Sequence, residues 1–392
     1  MTRSTSADFA LLPAGLHDVL APMAEHEVQL VETLMAGLQA HGYERVKPPM
    51  VEYESALLSG FGAGLASQTF RLQDPISQNM LAVRPDMTVQ IARLAYGRLA
   101  NRPRPLRLCY RGEVLRVQGT DLRPERQFQQ AGCELIGSLA PAADAEAITL
   151  AARGLIGLGV DALSVDLTLP TLVPALMSAF AADDDDRRAL LQAIDRRDQA
   201  SAAAMSNPAG PVISRLLDAS GRADRALDLL REIDLPNSAF PDRDRLFECV
   251  DRVRDAVPGL MLTVDLVEQR GFEYQTGVSF TLFARGVRGE LGRGGRYRLG
   301  AGLDADAPEG EPATGFTIYV DTLLRALPPP IQAQRLYLPY GTPSDQASRW
   351  QGQGWITLAG LTPEADAMAE ARRLQCSHIL LGETPQPVEL EV

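Results

Sequence analysis

Two runs, LRLCYRGEVLRVQG from Leu106 and ERQFQQAGCELIG from Glu125, limit the folds open to this chain more than any other feature. Each is rich in branched and aromatic residues at strand length, and only the polar stretch GTDLRP parts their cores. The spacing predicts two antiparallel strands joined by an arginine-bearing loop. Alternate residues of a strand share a face. Arg126, Gln130 and Glu134 therefore form one set and Arg111 and Glu113 another, which brings donors and carboxylates together on a sheet. Spacing alone leaves two readings open, a polar binding site or a solvated face carrying surface ion pairs.

The text around this pair supplies the rest of a core. APMAEHEVQLVETLMAGLQAHGY spaces Met23, Val28, Leu30, Val31, Leu34, Met35 and Leu38 along one helical face, and Gly42 suits the stop. The prolines of ERVKPPMVEYESAL fit an edge or a chain junction, because proline cannot donate to a ladder. TFRLQD and NMLAVRPDMT predict a short hairpin, followed by a helix from Asp86 to Leu99. From about 170 to 258 the chain turns rich in Ala, Leu, Arg and Asp and predicts a helical insertion. Its acidic run ADDDDRR reads as a solvated helix start, where carboxylates oppose the helix dipole. Strands resume with LMLTVDLVE and YQTGVSFTLFARG, and TGFTIYVDTLLRAL reads as a strand ending in a helix. After LPPP, the runs RLYLPYG, GWITLAG and SHILLG alternate with two helices. Antiparallel strand pairs with helices grouped around them predict an α+β fold: one domain over 1–330 that includes the insertion, then a small α/β region over 331–392.

Composition narrows the partners. A net charge of −12 argues against broad attraction to nucleic acid or an anionic membrane. Lys47 is the only lysine, so the cationic groups are almost all guanidinium, suited to forked contacts with carboxylate or phosphate. Cys109, Cys133, Cys249 and Cys376 lie far apart without C-x-x-C spacing, which fits reduced thiols better than a disulfide framework or a zinc site. No stretch resembles a signal peptide or a membrane span, and a cytoplasmic protein is expected.

Three further stretches carry candidate chemistry. LAVRPDMT places Asp86 and Thr88 at a helix start, where either serves as a cap or Asp86 receives an ammonium group. RGFEYQTG sets Arg270 before an aromatic strand containing Tyr274. GRGGRY lacks the lysine of a P-loop and the G-x-G-x-x-G spacing, so it reads either as a tight turn or as backbone that a ligand approaches closely.

Taken in order, LPAGLHDVLAP, GYERVKPPMVEY, LAVRPDMT, YRGEVLR with RQFQQAGCELIG, RGFEYQTG, GGRY and GFTIYVDTLL resemble the histidyl-tRNA synthetase family, a class II synthetase fold, from about Leu12 to Leu327. The resemblance implies an antiparallel sheet flanked by helices. It also implies a dimerisation segment near Pro48, an ATP-gripping segment over Arg111 to Glu134 and an ATP-closing segment over Gly315 to Leu324. On these motifs Asp86, Thr88, Gln130 and Glu134 fall where the ammonium and imidazole of histidine are read. Arg111 and Arg270 fall where carboxylate and α-phosphate are held, and Tyr274 retains one of two adjacent pocket tyrosines.

The departures bear on activity. Asp321 and Thr322 stand where the synthetases carry a Glu-Arg pair whose arginine meets the γ-phosphate, and threonine has neither the reach nor the charge for that contact. Gln275 replaces the second tyrosine, and the stretch after Leu327 is shorter than an anticodon-binding domain. This combination resembles the regulatory subunits of ATP phosphoribosyltransferase. It implies a non-catalytic chain, without cofactor, that dimerises within a larger hetero-oligomer, activates a short catalytic subunit and takes histidine as effector. Alternatives remain: a synthetase-like ligase in which Arg293 or Arg325 replaces the lost arginine, a divergent histidyl-tRNA synthetase, or a scaffold without ligand.

Overall fold

The computed structural model describes residues 11–120, 123–269, 274–300, 310–330 and 333–389. The chain divides into two units after Pro328. In chain order the first contains α1 (Met23–Ala40), β1 (Glu44–Val46), β2 (Val51–Tyr53), α2 (Glu54–Leu57), β3 (Arg71–Gln73), β4 (Met80–Val83), α3 (Thr88–Tyr96), β5 (Leu106–Leu115) and β6 (Gln127–Ile136). It continues through α4 (Pro141–Gly157), β7 (Leu163–Thr168), α5 (Leu172–Ala179), α6 (Asp184–Asp195), α7 (Gln199–Ala203), α8 (Ala209–Ala219), β8 (Gly221–Arg222), α9 (Ala223–Glu232) and α10 (Phe240–Ala256). β9 (Met261–Asp265), β10 (Gln275–Ala284), β11 (Gly292–Leu299), β12 (Glu311–Tyr319) and α11 (Val320–Ala326) complete it.

Nine strands form one sheet in the order β1-β5-β6-β12-β11-β10-β7-β9-β8, antiparallel from β5 to β7 and parallel at the β1–β5 and β7–β9 pairs. Strand alternation splits the core in two. Cys109 and Cys133 pack with Met35 of α1 and Ile148 of α4 on one face, whereas Leu108 and Tyr110 pack with Met87 and with Ile91 of α3 on the other. Removing side chains such as Ile91 and Ile148 from water stabilises the fold by roughly 1.5–3 kcal/mol each.

The predicted hairpin forms as β3 and β4, and β2 pairs with the other edge of β4. α3 is shorter than the expected Asp86–Leu99 span: Asp86 accepts from the Thr88 amide instead of entering the helix, and Gly97 follows its last residue. GRGGRY is neither turn nor nucleotide loop but the body of β11, between β10 and β12. Its glycines allow close sheet packing, and Gly294 and Gly295 also line a pocket with Asp86 and Glu134. A Cβ on Gly294 would lie 2.3 Å from the Gly315 carbonyl oxygen and 2.5 Å from Phe280 Cζ.

The insertion is helical, as its composition predicts, from α5 to α10, with only the two-residue β8 joining the sheet edge. The acidic run starts α6: Asp183 caps the amides of Asp185 and Asp186. The second unit contains β13 (Arg335–Leu338), α12 (Ser344–Gln351), β14 (Ile356–Ala359), α13 (Ala367–Arg373), β15 (His378–Leu381) and β16 (Thr384–Pro387). Its sheet order is β14-β13-β15-β16. β16 is the element the sequence reading missed, because its two prolines argue against a strand; it survives as an edge strand.

Candidate functional site

Register decides which polar residues meet. β5 runs against β6 with Leu108 opposite Glu134, Tyr110 opposite Gly132 and Gly112 opposite Gln130. Even-numbered residues of both strands therefore share the face covered by α3. On that face a small cavity of about 40 Å³ is lined by Asp86, Thr88, Glu134, Tyr274, Gln275 and Thr317, among others.

Glu134 is the pocket's buried carboxyl group, 2% exposed. Its Oε1 accepts from the Tyr110 hydroxyl at 3.1 Å and its Oε2 from the Tyr297 hydroxyl at 2.8 Å. The Tyr110 hydroxyl also meets Thr317 Oγ1 at 2.8 Å and Thr88 Oγ1 at 3.5 Å. Burial pushes the Glu134 carboxyl up to about 8, against the lowering effect of the two tyrosine bonds. The same burial drives Tyr110 and Tyr297 well above the ordinary phenol value, so both hydroxyls keep their protons. Gly315 of β12 makes room for this group: a Cβ there would fall 2.0 Å from Glu134 Oε2 and 2.3 Å from the Cys133 carbonyl oxygen.

Asp86 and Gln130 form a second polar cluster. Gln130 Nε2 donates to Asp86 Oδ2 at 2.9 Å, and Gln130 Oε1 accepts from the Met87 amide at 2.9 Å, which fixes the orientation of the amide. Asp86 Oδ1 accepts from the Thr88 amide at 2.9 Å. The helix-start contact and the pocket position expected of Asp86 thus coexist, one oxygen for each. Tyr274 lines the pocket with its ring edge-on to Tyr297 at 6.1 Å and is 40% exposed.

Of the expected site residues, Asp86, Thr88, Gln130, Glu134 and Tyr274 come together here. Arg111 does not join them. It is odd-numbered in β5, points to the opposite face and pairs with Glu32 of α1, its Nε 3.0 Å from Glu32 Oε1. Arg126 lies before β6, donates to the Ala14 carbonyl and stacks on Phe70. Arg270 lies outside the described residues.

The arginine that approaches Asp86 is Arg116, the residue after β5. Its Nε donates to the Pro85 carbonyl at 3.2 Å, its guanidinium stands 5.1 Å from the Phe128 ring centre, and Nη2 is 4.0 Å from Asp86 Oδ2. Strand parity puts Arg111 and Arg116 on opposite faces, and the β5–β6 register, with Leu108 opposite Glu134, puts the even-numbered Arg116 on the pocket side. Tyr110, Tyr297 and Thr317 were also missed, although Tyr110 shares the even parity and Tyr297 closes the GRGGRY run.

The segment around Asp321 is filled by the chain's own cations. Arg123, 8% exposed, stacks on Tyr319 at 3.7 Å and Phe128 at 5.0 Å, with Nε 3.3 Å from Asp321 Oδ2. Arg325 donates to Thr322 Oγ1 at 3.0 Å and pairs with Glu125 at 3.2 Å. Arg293 pairs with Glu290 at 2.8 Å. Both arginines considered as replacements for the missing phosphate contact are therefore engaged with carboxylates. Among the described residues, no cluster of three His, Cys, Asp or Glu side chains could hold a metal ion, and no helix is long and apolar enough to cross a membrane.

Comparison with known proteins follows the same lines. The sequence profile described as Histidyl-tRNA synthetase matches residues 15–323. An ATP phosphoribosyltransferase regulatory subunit from Rhodospirillum centenum is 54% identical over 98% of both chains. A crystal structure from Bacillus halodurans, described as an ATP phosphoribosyltransferase regulatory subunit/histidyl-tRNA synthetase, is similar at a TM-score of 0.79 and 24% identity, covering 92% of this chain and 95% of that one. A chain of the ATP phosphoribosyl transferase (HisG:HisZ) complex from Thermotoga maritima is similar in fold at a TM-score of 0.58 and 17% identity, covering 75% of this chain and 97% of that one.

Proposed function

Because the chain belongs to the family of ATP phosphoribosyltransferase regulatory subunits, within the wider histidyl-tRNA synthetase family, we propose that its polar pocket is a histidine sensor acting on the catalytic subunit. Its function is that of a non-catalytic regulatory subunit in histidine biosynthesis. The observation that carries the sensor reading is the contrast between the two ends of the site. The end built on Glu134, Asp86 and Gln130 is an open polar pocket, while Arg123 and Arg325 occupy the end beside Asp321 and Thr322. A site that binds an amino acid but does not activate it needs only the first.

The partner in this reading is a short catalytic subunit, and the Thermotoga maritima complex supports an assembly of two kinds of chain. Control is then a coupling free energy: histidine lowers the rate only by binding one assembly state more tightly than another. Self-association is supported by an inverted strand. In β2, Glu52 turns inward to Arg93 and Gln90, leaving Val51 and Tyr53 exposed on the sheet face that Leu72 of β3 shares across Leu81. Apolar side chains gathered on one exposed surface suit a second copy of the chain. All four cysteines are buried and unpaired, which supports a reducing cytoplasm.

The test is the phosphoribosyl transfer rate of the same organism's short catalytic subunit, alone, with this chain, and with this chain plus histidine. The reading requires a rise on mixing and a fall when histidine is added. A rate that rises but ignores histidine would leave the regulatory subunit and remove the sensor.

A further inference from the structure

Two helices on the sheet face opposite Glu134 fail to interlock. Thr33, Gly37 and the cap residue His41 follow one another four apart along α1, and Leu150, Arg153, Gly154 and Gly157 recur at helical spacing on α4. Packed helices normally fill the groove between such rows with side chains. Three of these positions are glycine, and the gap stays open as a cavity of about 220 Å³, floored by Ala131, Gly132, Phe316 and Ile318 of β6 and β12. Gly154 is needed for close approach, since a Cβ there would lie 2.9 Å from Leu34 Cδ2. Gly37 is not: a Cβ there would meet nothing within 4 Å. An apolar void of this size is costly, and protein interiors retain few of them.

The polar groups at the mouth narrow the occupant. Gly37, His41 and Arg153 are exposed there, and Arg153 is the one charged side chain among the described lining residues. Its Nη2 donates to the Ala256 carbonyl at 2.7 Å, and a guanidinium carries further N–H groups. The neighbouring acceptors are taken. His41 Nδ1 lies 2.9 Å from the Gly37 carbonyl oxygen, and the amides of Leu158 and Val160 cap the Gly154 and Leu155 carbonyls.

We propose that this cavity is a second small-molecule site, taking a monocarboxylate with a ring-sized apolar body: the body lies between α1 and α4, and the carboxylate meets Arg153 at the mouth. An apolar cavity of about 150 Å³ accepts benzene, so the space here suits a ring with a short arm and excludes a long acyl chain. An amino acid fits poorly, because no lining carboxylate among the described residues would receive its ammonium group. A guanidinium facing a carboxylate gives a charge-assisted contact that a neutral ligand lacks. The site stands apart from the histidine reading, on the other side of the sheet.

The experiment is calorimetric titration of the full chain with 3-phenylpropanoate and with its neutral amide, repeated on Gly37→Leu and Arg153→Gln. The unmutated chain should bind the carboxylate and bind the amide about tenfold more weakly. Gly37→Leu fills the cavity without displacing a neighbour, so it should weaken both probes at least about tenfold while the melting temperature holds or rises. Arg153→Gln should bring the carboxylate down to the affinity of the amide. An unmutated chain that binds neither probe at millimolar concentration, or binds both equally, would overturn the inference without reliance on any variant. So would a Gly37→Leu chain that binds both as its parent does, which would put the probes elsewhere. A Gly37→Leu chain that sediments as a smaller species would give the cavity to a second copy of the chain and overturn it as well.

Discussion

Replacing Glu134 by glutamine should flatten the pH dependence of stability across the neutral range. The folded carboxyl is raised by burial from 4.5 to about 8. Between those values the folded protein holds a proton that the unfolded chain has released. Stability contributed by this group is therefore complete below the unfolded value and declines as pH rises toward the folded one, opposite to the usual salt-bridged carboxylate. At 1.36 kcal/mol per unit, the shift of 8 − 4.5 = 3.5 units bounds the effect at about 5 kcal/mol, of which about 3 kcal/mol falls between pH 5 and 7.5. The substituted amide cannot titrate, and it costs part of the tyrosine network because its nitrogen faces a hydroxyl that donates. The Glu134→Gln variant should thus be less stable than its parent at pH 5, with the deficit shrinking steadily toward pH 8. Urea unfolding of both proteins at half-unit steps measures the difference, and taking the difference cancels every group common to the two. A deficit that stays constant from pH 5 to 8 would mean that Glu134 is ionised in the folded protein. The desolvation argument would then fail.

Other perturbations follow from the same contacts. Gly315→Ala should lower the melting temperature and abolish histidine binding together, since its Cβ would overlap Glu134 Oε2 and the Cys133 carbonyl; a variant that keeps both in a thermal-shift titration would contradict the close approach. Thr322→Arg should gain no amino-acid-dependent pyrophosphate exchange and should lose about 1–3 kcal/mol of stability. Thr322 is 1% exposed beneath Arg325, and a larger cation there overpacks the core. Tyr53→Asp should leave the melting temperature within a few degrees while shifting sedimentation toward a smaller species, because Tyr53 is 52% exposed on the outward side of β2.

Local text was enough for most element types, β11 and β16 excepted. Strand-length runs, a helix with one apolar stripe, a capped acidic run and a strand-to-helix junction at Tyr319 each follow from residues within a few positions of one another. Motif order then identified the family. What local text could not supply was register. Arg111 and Arg116 stand in one strand run, five residues apart, and odd spacing puts them on opposite faces. Which of them shares the pocket face depends on β5 meeting β6 with Tyr110 opposite Gly132, a pairing set by the packing of both sheet faces. GRGGRY shows the same limit: its glycines look like a loop along the chain, yet they are strand residues because β10 and β12 crowd them from both sides.

The amino-acid sequence by itself determined the family and the α+β architecture, since these depend on residue identity and on order along the chain. Only the tertiary structure decided that Arg123 fills the space beside Asp321, that Tyr110 and Tyr297 hold Glu134 from two strands, and that the Gln275 oxygen is buried without a hydrogen-bond partner among the described residues. Burial and hydrogen bonding are properties of the neighbours a residue acquires on folding, and those neighbours come from strands and loops up to about two hundred positions away.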